Sequence, residues 1–109
     1  MLEIVQRLET LTGPDTDLDV EIASLCQFEL RSGKSPGQPV VSLTRVPAFT
    51  RFVDDALKLV AHVAPGESGG FGWENGTASA RIGEGRYAKA VTPAAAICIA
   101  AILHKAYHG

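Results

Sequence analysis

Residues 71–91 read FGWENGTASARIGEGRYAKAV, three short β-prone runs separated by two glycine-containing turns. Asn75-Gly76 is the preferred pair for a two-residue type I′ hairpin, because both turn positions need a positive φ that these residues tolerate. This turn sets Trp73 opposite Ala78 across the first strand pair. The stretch therefore predicts a β-hairpin that continues into a third strand.

The second connection of this meander is Gly83-Glu84-Gly85. We interpret it as a three-residue loop with Gly85 in the left-handed conformation, which sets Ala80 against Ala88. A two-residue loop would instead set Ala80 against a lysine and direct a charge towards the core. The expected buried face of the meander consists of Phe71, Trp73, Ala78, Ala80, Ile82, Ala88 and Ala90.

The opposite face of the same meander is polar by the alternation of strand side chains. It consists of Glu74, Thr77, Ser79, Arg81, Tyr87 and Lys89. Two cations, two hydroxyls and an aromatic ring could hold a small anion or a nucleotide by charge-assisted hydrogen bonds and stacking. The alternative is a solvated sheet face, since antiparallel sheets are often buried on one side only.

The remaining elements are predicted to be helices. The last helix has Thr92 as its cap and Pro93 in its first turn, and it is apolar on all sides over residues 94–103, so we expect it to be buried. Residues 1–13 form an additional amino-terminal helix with an apolar stripe. A helix capped at Thr16, with Asp19 completing a capping box, follows, and another helix begins near Phe52.

Two glycine- and proline-rich segments, 31–39 and 64–70, are expected to be flexible loops. Between the first loop and the third helix, residues 40–43 form a short β-prone run that predicts an edge strand. The expected fold class is α/β of the α+β type. It is an α-β-α sandwich in which a small antiparallel sheet of three to four strands packs with about four helices.

The composition limits the classes of function. The chain has 109 residues, 46% of them hydrophobic and 20% charged, which suits a single domain with one ordinary core. Its net charge of −2 is unfavourable for non-specific nucleic-acid binding or for a membrane surface. The amino terminus lacks the pattern of a secretory signal and no apolar run could span a bilayer, so we expect a cytoplasmic protein.

Several segments resemble the phage α-β-α sandwich domain family. They are EIA at 21–23, PAFT at 47–50 and AVTPA at 90–94, with the tryptophan-containing hairpin between the last two. The likeness extends over residues 18–103 and rests on helix caps and core positions. It implies a phage or prophage origin, a host bacterial cytoplasm and a three-layer arrangement. It supplies no catalytic residues.

Motifs that could indicate phosphate or metal chemistry lack their required context. Gly33-Lys34-Ser35 resembles the end of a phosphate-binding loop, but a proline follows where a helix should begin. His104 and His108 have the spacing of half a metal site, but no third ligand lies on the same turn. We therefore predict no metal and no cofactor.

The acids and the cysteines also favour structural roles. Asp15, Asp17 and Asp19 alternate as in a calcium loop, but the glycine and the distal glutamate of that motif are absent, which favours helix capping. Cys26 and Cys98 lie in apolar helical patterns, so we expect reduced, buried thiols rather than a nucleophile. No catalytic residue is predicted.

Three functional hypotheses remain open. The first is a non-enzymatic phage accessory protein that binds a host protein, or a small anionic ligand across the six polar residues of the meander. The second is a structural or assembly protein that forms homo-oligomers through the predicted edge strand at 40–43. The third, with least support, is a small hydrolase, because no nucleophile, base and orienting group are evident together.

Overall fold

The computed structural model describes residues 2–27 and 46–108 of the chain. These residues form a compact α+β fold of four helices and a small antiparallel sheet, the predicted class. In chain order the elements are α1 (Leu2–Glu9), α2 (Thr16–Leu25), α3 (Val53–Val63), β1 (Gly69–Glu74), β2 (Thr77–Ile82), β3 (Ala88–Ala90) and α4 (Pro93–His108). The predicted loop at 31–39 and the predicted edge strand at 40–43 lie outside the described residues.

The sheet has the strand order β1-β2-β3, and both predicted registers are confirmed. Trp73 pairs with Ala78 across the Asn75-Gly76 turn, and Ala80 pairs with Ala88 across the second connection. The second turn differs in detail. Gly83, not Gly85, has the positive φ, at +57°. Gly85 instead donates its N–H to the carbonyl of Ile82 at 3.0 Å, which closes the turn.

Helix α4 packs on the alanine side of the sheet, mainly over β2 and β3, and α1 and α3 pack against α4. Every residue from Ala94 to Ile102 is buried, as the apolar pattern of the sequence predicts. The cap is also as predicted, since Ala95 donates its N–H to Thr92 Oγ1 at 3.2 Å. The alanines of β2 and β3 let the helix approach closely, and this layer is the centre of the core.

The expected burial of the β1 aromatic residues is wrong. Phe71 and Trp73 lie on the same side of the sheet as their alanine partners, but they are 40% and 74% exposed. Since α4 lies mainly over β2 and β3, the outer strand projects beyond it. The register was therefore predictable, whereas the coverage of β1 was not.

The predicted capping box at the start of α2 is wrong. Asp15, not Thr16, is the cap, and its side chain accepts the N–H of Leu18 at 3.0 Å. Asp19 is buried and instead accepts the backbone N–H of Thr50 at 2.8 Å. The Thr50 hydroxyl accepts the N–H of Asp15 at 2.9 Å, so this cluster joins α2 to the segment before α3.

Two element boundaries also differ from the sequence prediction. The first helix ends at Glu9 rather than at residue 13, and the N–H of Leu11 bonds to the carbonyl of Leu8 in a tighter final turn. β1 begins at Gly69, so the connection predicted over 64–70 is shorter by two residues. The third helix begins where predicted, with Phe52 at its cap position.

Candidate ligand-binding face

All six residues predicted to bind a ligand lie together on the side of the sheet opposite α4. We call this set the polar platform: Glu74, Thr77, Ser79, Arg81, Tyr87 and Lys89. Strand alternation places them there because their neighbours in β2 and β3 are the buried alanines. Within residues 2–27 and 46–108, the helices that contact the sheet pack on the alanine side, so they leave the platform open.

The strand registers arrange the platform in rows across the sheet. The central row has Gly72 opposite Ser79 and Ser79 opposite Lys89. A row on one side has Glu74 opposite Thr77. Directly opposed side chains lie about 4.5–5.5 Å apart at their Cβ atoms, so the serine hydroxyl and the lysine ammonium can contact one ligand.

Arg81 and Tyr87 form the other end of the platform. The guanidinium carbon of Arg81 lies 5.1 Å from the centroid of the Tyr87 ring, a cation–π distance. Tyr87 is 61% exposed, so much of its surface remains accessible. The contact restricts the long arginine side chain while its donors remain available to an anion, which lowers the entropy lost on binding.

Two glycines of β1, whose role was not predicted from the strand pattern, give the platform its shape. Gly70 lies opposite Arg81 and Gly72 opposite Ser79, and a Cβ added to either glycine would meet no atom within 4 Å. The bare backbone leaves a depression of about 550 Å³ that extends from Gly70 to Tyr87. An adjoining depression of about 400 Å³ continues from Gly72 to Lys89.

A signal for this shape is present in the sequence. Strand interiors rarely contain glycine, and alternate glycines at 70 and 72 place both bare positions on one face. Neither residue has a positive φ, so the backbone does not require glycine at these positions. The glycines therefore matter through the space that they leave.

The cysteines lie away from this face. Both Cys26 and Cys98 are free and buried. The Cys98 thiol donates to the carbonyl of Phe49 at 3.4 Å. Burial raises the pKa of both thiols above the ordinary value. They therefore pack as small apolar side chains and stay protonated near neutral pH.

Two of the acids considered as metal ligands have structural roles in the described part of the chain. Asp15 caps α2, and Asp19 holds the backbone of Thr50. Within residues 2–27 and 46–108, no three His, Cys, Asp or Glu side chains cluster in a way that could hold a metal ion. The side chain of His108 lies outside that part.

The platform combines groups that recognise an anion attached to a planar or polar body. Arg81 and Lys89 supply charge-assisted donors, and Ser79 and Thr77 supply hydroxyls that both donate and accept. The single carboxylate, Glu74, lies at the far end from Arg81. An anion bound near Arg81, Ser79 and Lys89 is therefore kept apart from the acid.

Comparisons with protein-family models, with curated proteins and with solved structures give no match for the chain. The helices of the fold were also compared with the length that a membrane span requires. The longest helix of the described residues, α4, has 16 residues, and none of the helices there is long and apolar enough to span a bilayer.

Proposed function

We propose that this chain is a non-enzymatic accessory protein of a phage or prophage, and that it binds a small anionic ligand such as a nucleotide on the polar platform. The single observation that carries the proposal is the depression between Arg81, Tyr87 and the bare backbone of Gly70 and Gly72. The phage assignment rests on the resemblance of residues 18–103 to the phage α-β-α sandwich domain family.

Charge supports an anionic ligand. Lys89 is exposed and lies opposite Ser79, so its ammonium and the serine hydroxyl can share one phosphate or carboxylate group. Arg81 lies two residues from Ser79 on the same face of β2 and can contribute a second charged donor. Hydrogen bonds to charged groups contribute about 1.5–3 kcal/mol each, enough for measurable affinity from two cations.

Shape supports a ligand with a planar part. The depression has a floor of glycine backbone on β1 and the Tyr87 ring at its other side. A planar base can lie over exposed peptide groups and contact the tyrosine ring while its phosphate reaches the cations. The groups of the platform bind and orient an anion, and we assign no bond-breaking step to them.

The first experiment measures binding by isothermal titration calorimetry and thermal shift with inorganic phosphate, nucleoside monophosphates, nucleoside triphosphates and cyclic nucleotides. We expect binding that weakens about tenfold or more in Arg81→Ala and in Lys89→Ala, because each loses a charge-assisted contact. Lys58→Ala is the matched control, since Lys58 is an exposed cation of α3 that pairs with Asp55. Binding by the wild type that is unchanged in both platform variants would rule out this site.

A second experiment tests the shape of the depression without changing charge. Gly72→Ala adds one methyl group at an open position of β1 where the backbone has no positive φ, so we expect the fold to be kept and the ligand to bind less tightly. Gly13→Ala is the matched control, because Gly13 is also open but lies outside the sheet. If no anion of the panel binds, the proposal of a small anionic ligand fails, and binding to a host or phage protein is the alternative left to test.

A further inference from the structure

The outer edge of β1 offers hydrogen-bonding groups. Within the described residues β1 pairs with β2 alone, so its other edge has no partner strand there. Ser68 accepts the N–H of Gly83 at 2.6 Å, and the alternation of an antiparallel pair then turns the even-numbered residues of β1 towards β2. The residues that turn their N–H and C=O groups outwards are Gly69, Phe71 and Trp73.

The same edge also exposes large apolar side chains. Phe71 is 40% exposed and Trp73 is 74% exposed, on the alanine side of the sheet. Natural edge strands usually contain charges, prolines or bulges that prevent pairing with another chain. β1 contains no proline, and its one charged residue, Glu74, lies at its end beside the turn and on the opposite side of the sheet from Phe71 and Trp73. This edge therefore has the features of a pairing surface.

An apolar groove lies beside the edge. It has a volume of about 460 Å³ and runs between α3, α4 and β1. Leu57 and Val60 form its wall on α3, and Phe71 and Ile82 contribute from the sheet. Gly69 lies at its rim without a side chain, and an added Cβ would meet the carbonyl oxygen of Arg81 at 2.5 Å. The backbone of Gly69 therefore packs closely against β2 at the rim of the groove, and the groove lies directly beside the unpaired edge of β1.

We propose that β1 pairs in antiparallel fashion with β1 of a second copy of this chain, so that two three-stranded sheets become one of six strands. In this dimer Phe71 lies opposite Phe71 of the second copy, and Trp73 of each copy lies opposite Gly69 of the other and enters its groove. The contact is isologous, because a two-fold axis passes through the Phe71 pair.

The register is determined by which residues of β1 turn their N–H and C=O groups outwards. Only odd-numbered residues turn outwards, so an odd residue must pair with an odd residue. Pairing centred on Phe71 matches residues 69, 71 and 73 with 73, 71 and 69. Pairing centred on Gly72 would set Gly69 against Asn75, a turn residue with a positive φ of 51°. The register centred on Phe71 therefore keeps every outward group within the strand.

A second copy fits this edge because the strand contains both halves of the contact. Trp73 and Gly69 lie at equal distances from Phe71 in the sequence, so a two-fold axis brings the exposed ring to the open groove twice. On the polar side the same register sets Gly70 opposite Gly72 of the second copy. No side chains collide there, and the two polar platforms become continuous.

The size of the contact predicts a reversible dimer. The exposed parts of Phe71 and Trp73 in two copies correspond to roughly 400–500 Å² of aromatic surface. We expect the strand backbones and the groove walls to add a similar area, for a total of roughly 800–1,000 Å², which is below the about 1,200 Å² of the smallest stable specific complexes and within the range of weak, transient ones. We therefore expect a dissociation constant in the micromolar range rather than an obligate dimer.

The only tryptophan of the chain reports on this contact directly. The experiment measures mass by analytical ultracentrifugation and tryptophan emission over a concentration series of the full chain. We expect a monomer–dimer equilibrium, with emission that shifts to shorter wavelength as the dimer forms and Trp73 is buried. A chain that stays monomeric up to millimolar concentration, with constant emission, would overturn the proposal; another segment of the chain or a different protein would then cover this edge.

A matched pair of variants locates the contact. Trp73→Ala should weaken dimerisation at least tenfold without lowering the melting temperature of the monomer, because the side chain is exposed. Tyr107→Ala, which removes an aromatic ring that is 82% exposed near the end of α4, should leave dimerisation unchanged. Equal dimerisation by wild type and Trp73→Ala would overturn the proposal.

Cysteine cross-linking tests the register. Gly70→Cys and Gly72→Cys should form an intermolecular disulfide when mixed and mildly oxidised, because a directly opposed non-hydrogen-bonded pair has Cα atoms about 4.5 Å apart. Each variant alone should not cross-link, since the like positions are offset along the strands. Rapid cross-linking of Gly72→Cys alone would overturn this register. Lys89→Ala should leave the dimer intact, because Lys89 lies on β3, away from the β1 edge and outside the groove, so dimerisation and ligand binding can fail independently.

Discussion

Replacing Asp19 by alanine tests the buried contact that joins α2 to the segment before α3. Asp19 is 3% exposed, and it accepts the backbone N–H of Thr50 at 2.8 Å. Thr50 is equally buried, so the alanine variant leaves its N–H without this acceptor. An unsatisfied buried donor costs about 1–3 kcal/mol. We expect Asp19→Ala to lower the free energy of unfolding by this amount, a large share of the 5–15 kcal/mol typical of small domains.

Asp19→Asn separates the hydrogen bond from the charge. The asparagine oxygen can still accept the N–H of Thr50, while the charge is removed. Burial is the main cause that raises the pKa of Asp19, which outweighs the opposing hydrogen bonds from Thr50. A raised pKa in the folded state means that the protonated form favours folding. We therefore expect Asp19→Asn to be as stable as the wild type, or more stable, at neutral pH.

The sign of the pH dependence follows from the same shift. The stabilisation from protonated Asp19 is complete below the pKa of the unfolded state and is lost as the pH rises through the higher pKa of the folded state. Relative to Asp19→Asn, the wild type should therefore lose stability with rising pH across that interval. A gain over the same interval would contradict the assigned direction.

Urea unfolding followed by circular dichroism, at constant ionic strength and several pH values, measures both effects. Asp17→Ala and Asp17→Asn are the controls, because Asp17 is an exposed acid in the first turn of the same helix. If Asp19→Ala costs less than about 0.5 kcal/mol, the scale of ordinary surface substitutions, the assigned hydrogen bond is not important for stability. Equal losses in Asp19→Ala and Asp19→Asn would show that the charge, not the acceptor, matters.

Three further predictions concern the sheet and the core. Ala78→Leu should destabilise the fold by about 1–3 kcal/mol in thermal unfolding, because Ala78 is fully buried beneath α4, whereas Ala106→Leu on the exposed part of α4 should have little effect. Gly76→Ala should cost about 1–2 kcal/mol in the same assay, since its φ is +76°; a neutral result would contradict the assigned turn. The Cys98 thiol should react with an aromatic disulfide reagent only as fast as the protein unfolds, because burial raises its pKa and excludes the reagent; fast labelling of folded protein would refute this.

The local chemistry of turns and caps determined what could be predicted from the sequence. Asn75-Gly76 allows one tight hairpin, and the need to keep Lys89 away from the core fixes the second register, so both strand pairings were predictable. The six platform residues followed from the same alternation. The two turns fix the strand registers, and the registers together with the alternation of side chains group these six residues on one face.

Other features depend on contacts between residues distant in sequence. Thr16 and Asp15 are both good cap residues, and the choice depends on Thr50, which bonds to the backbone of Asp15 from 35 residues away. Asp19 fits a capping box by spacing, but the distant N–H of Thr50 takes its carboxylate instead. No local pattern contains this information.

The aromatic residues of β1 show why a correct register can give the wrong burial. The sequence pattern predicts that large rings and small methyl groups interlock beneath one helix. A helix that contacts alanines along β2 and β3 lies close to the sheet, and a ring of Phe71 or Trp73 beneath it would hold it away from those alanines. Close packing therefore places the large and the small side chains in different surroundings. The helix lies over the alanines of β2 and β3, and β1, which carries the aromatic rings, extends beyond it. The same separation leaves the apolar groove beside β1 open, so the packing that invalidates the burial prediction creates the edge on which the proposed dimer depends.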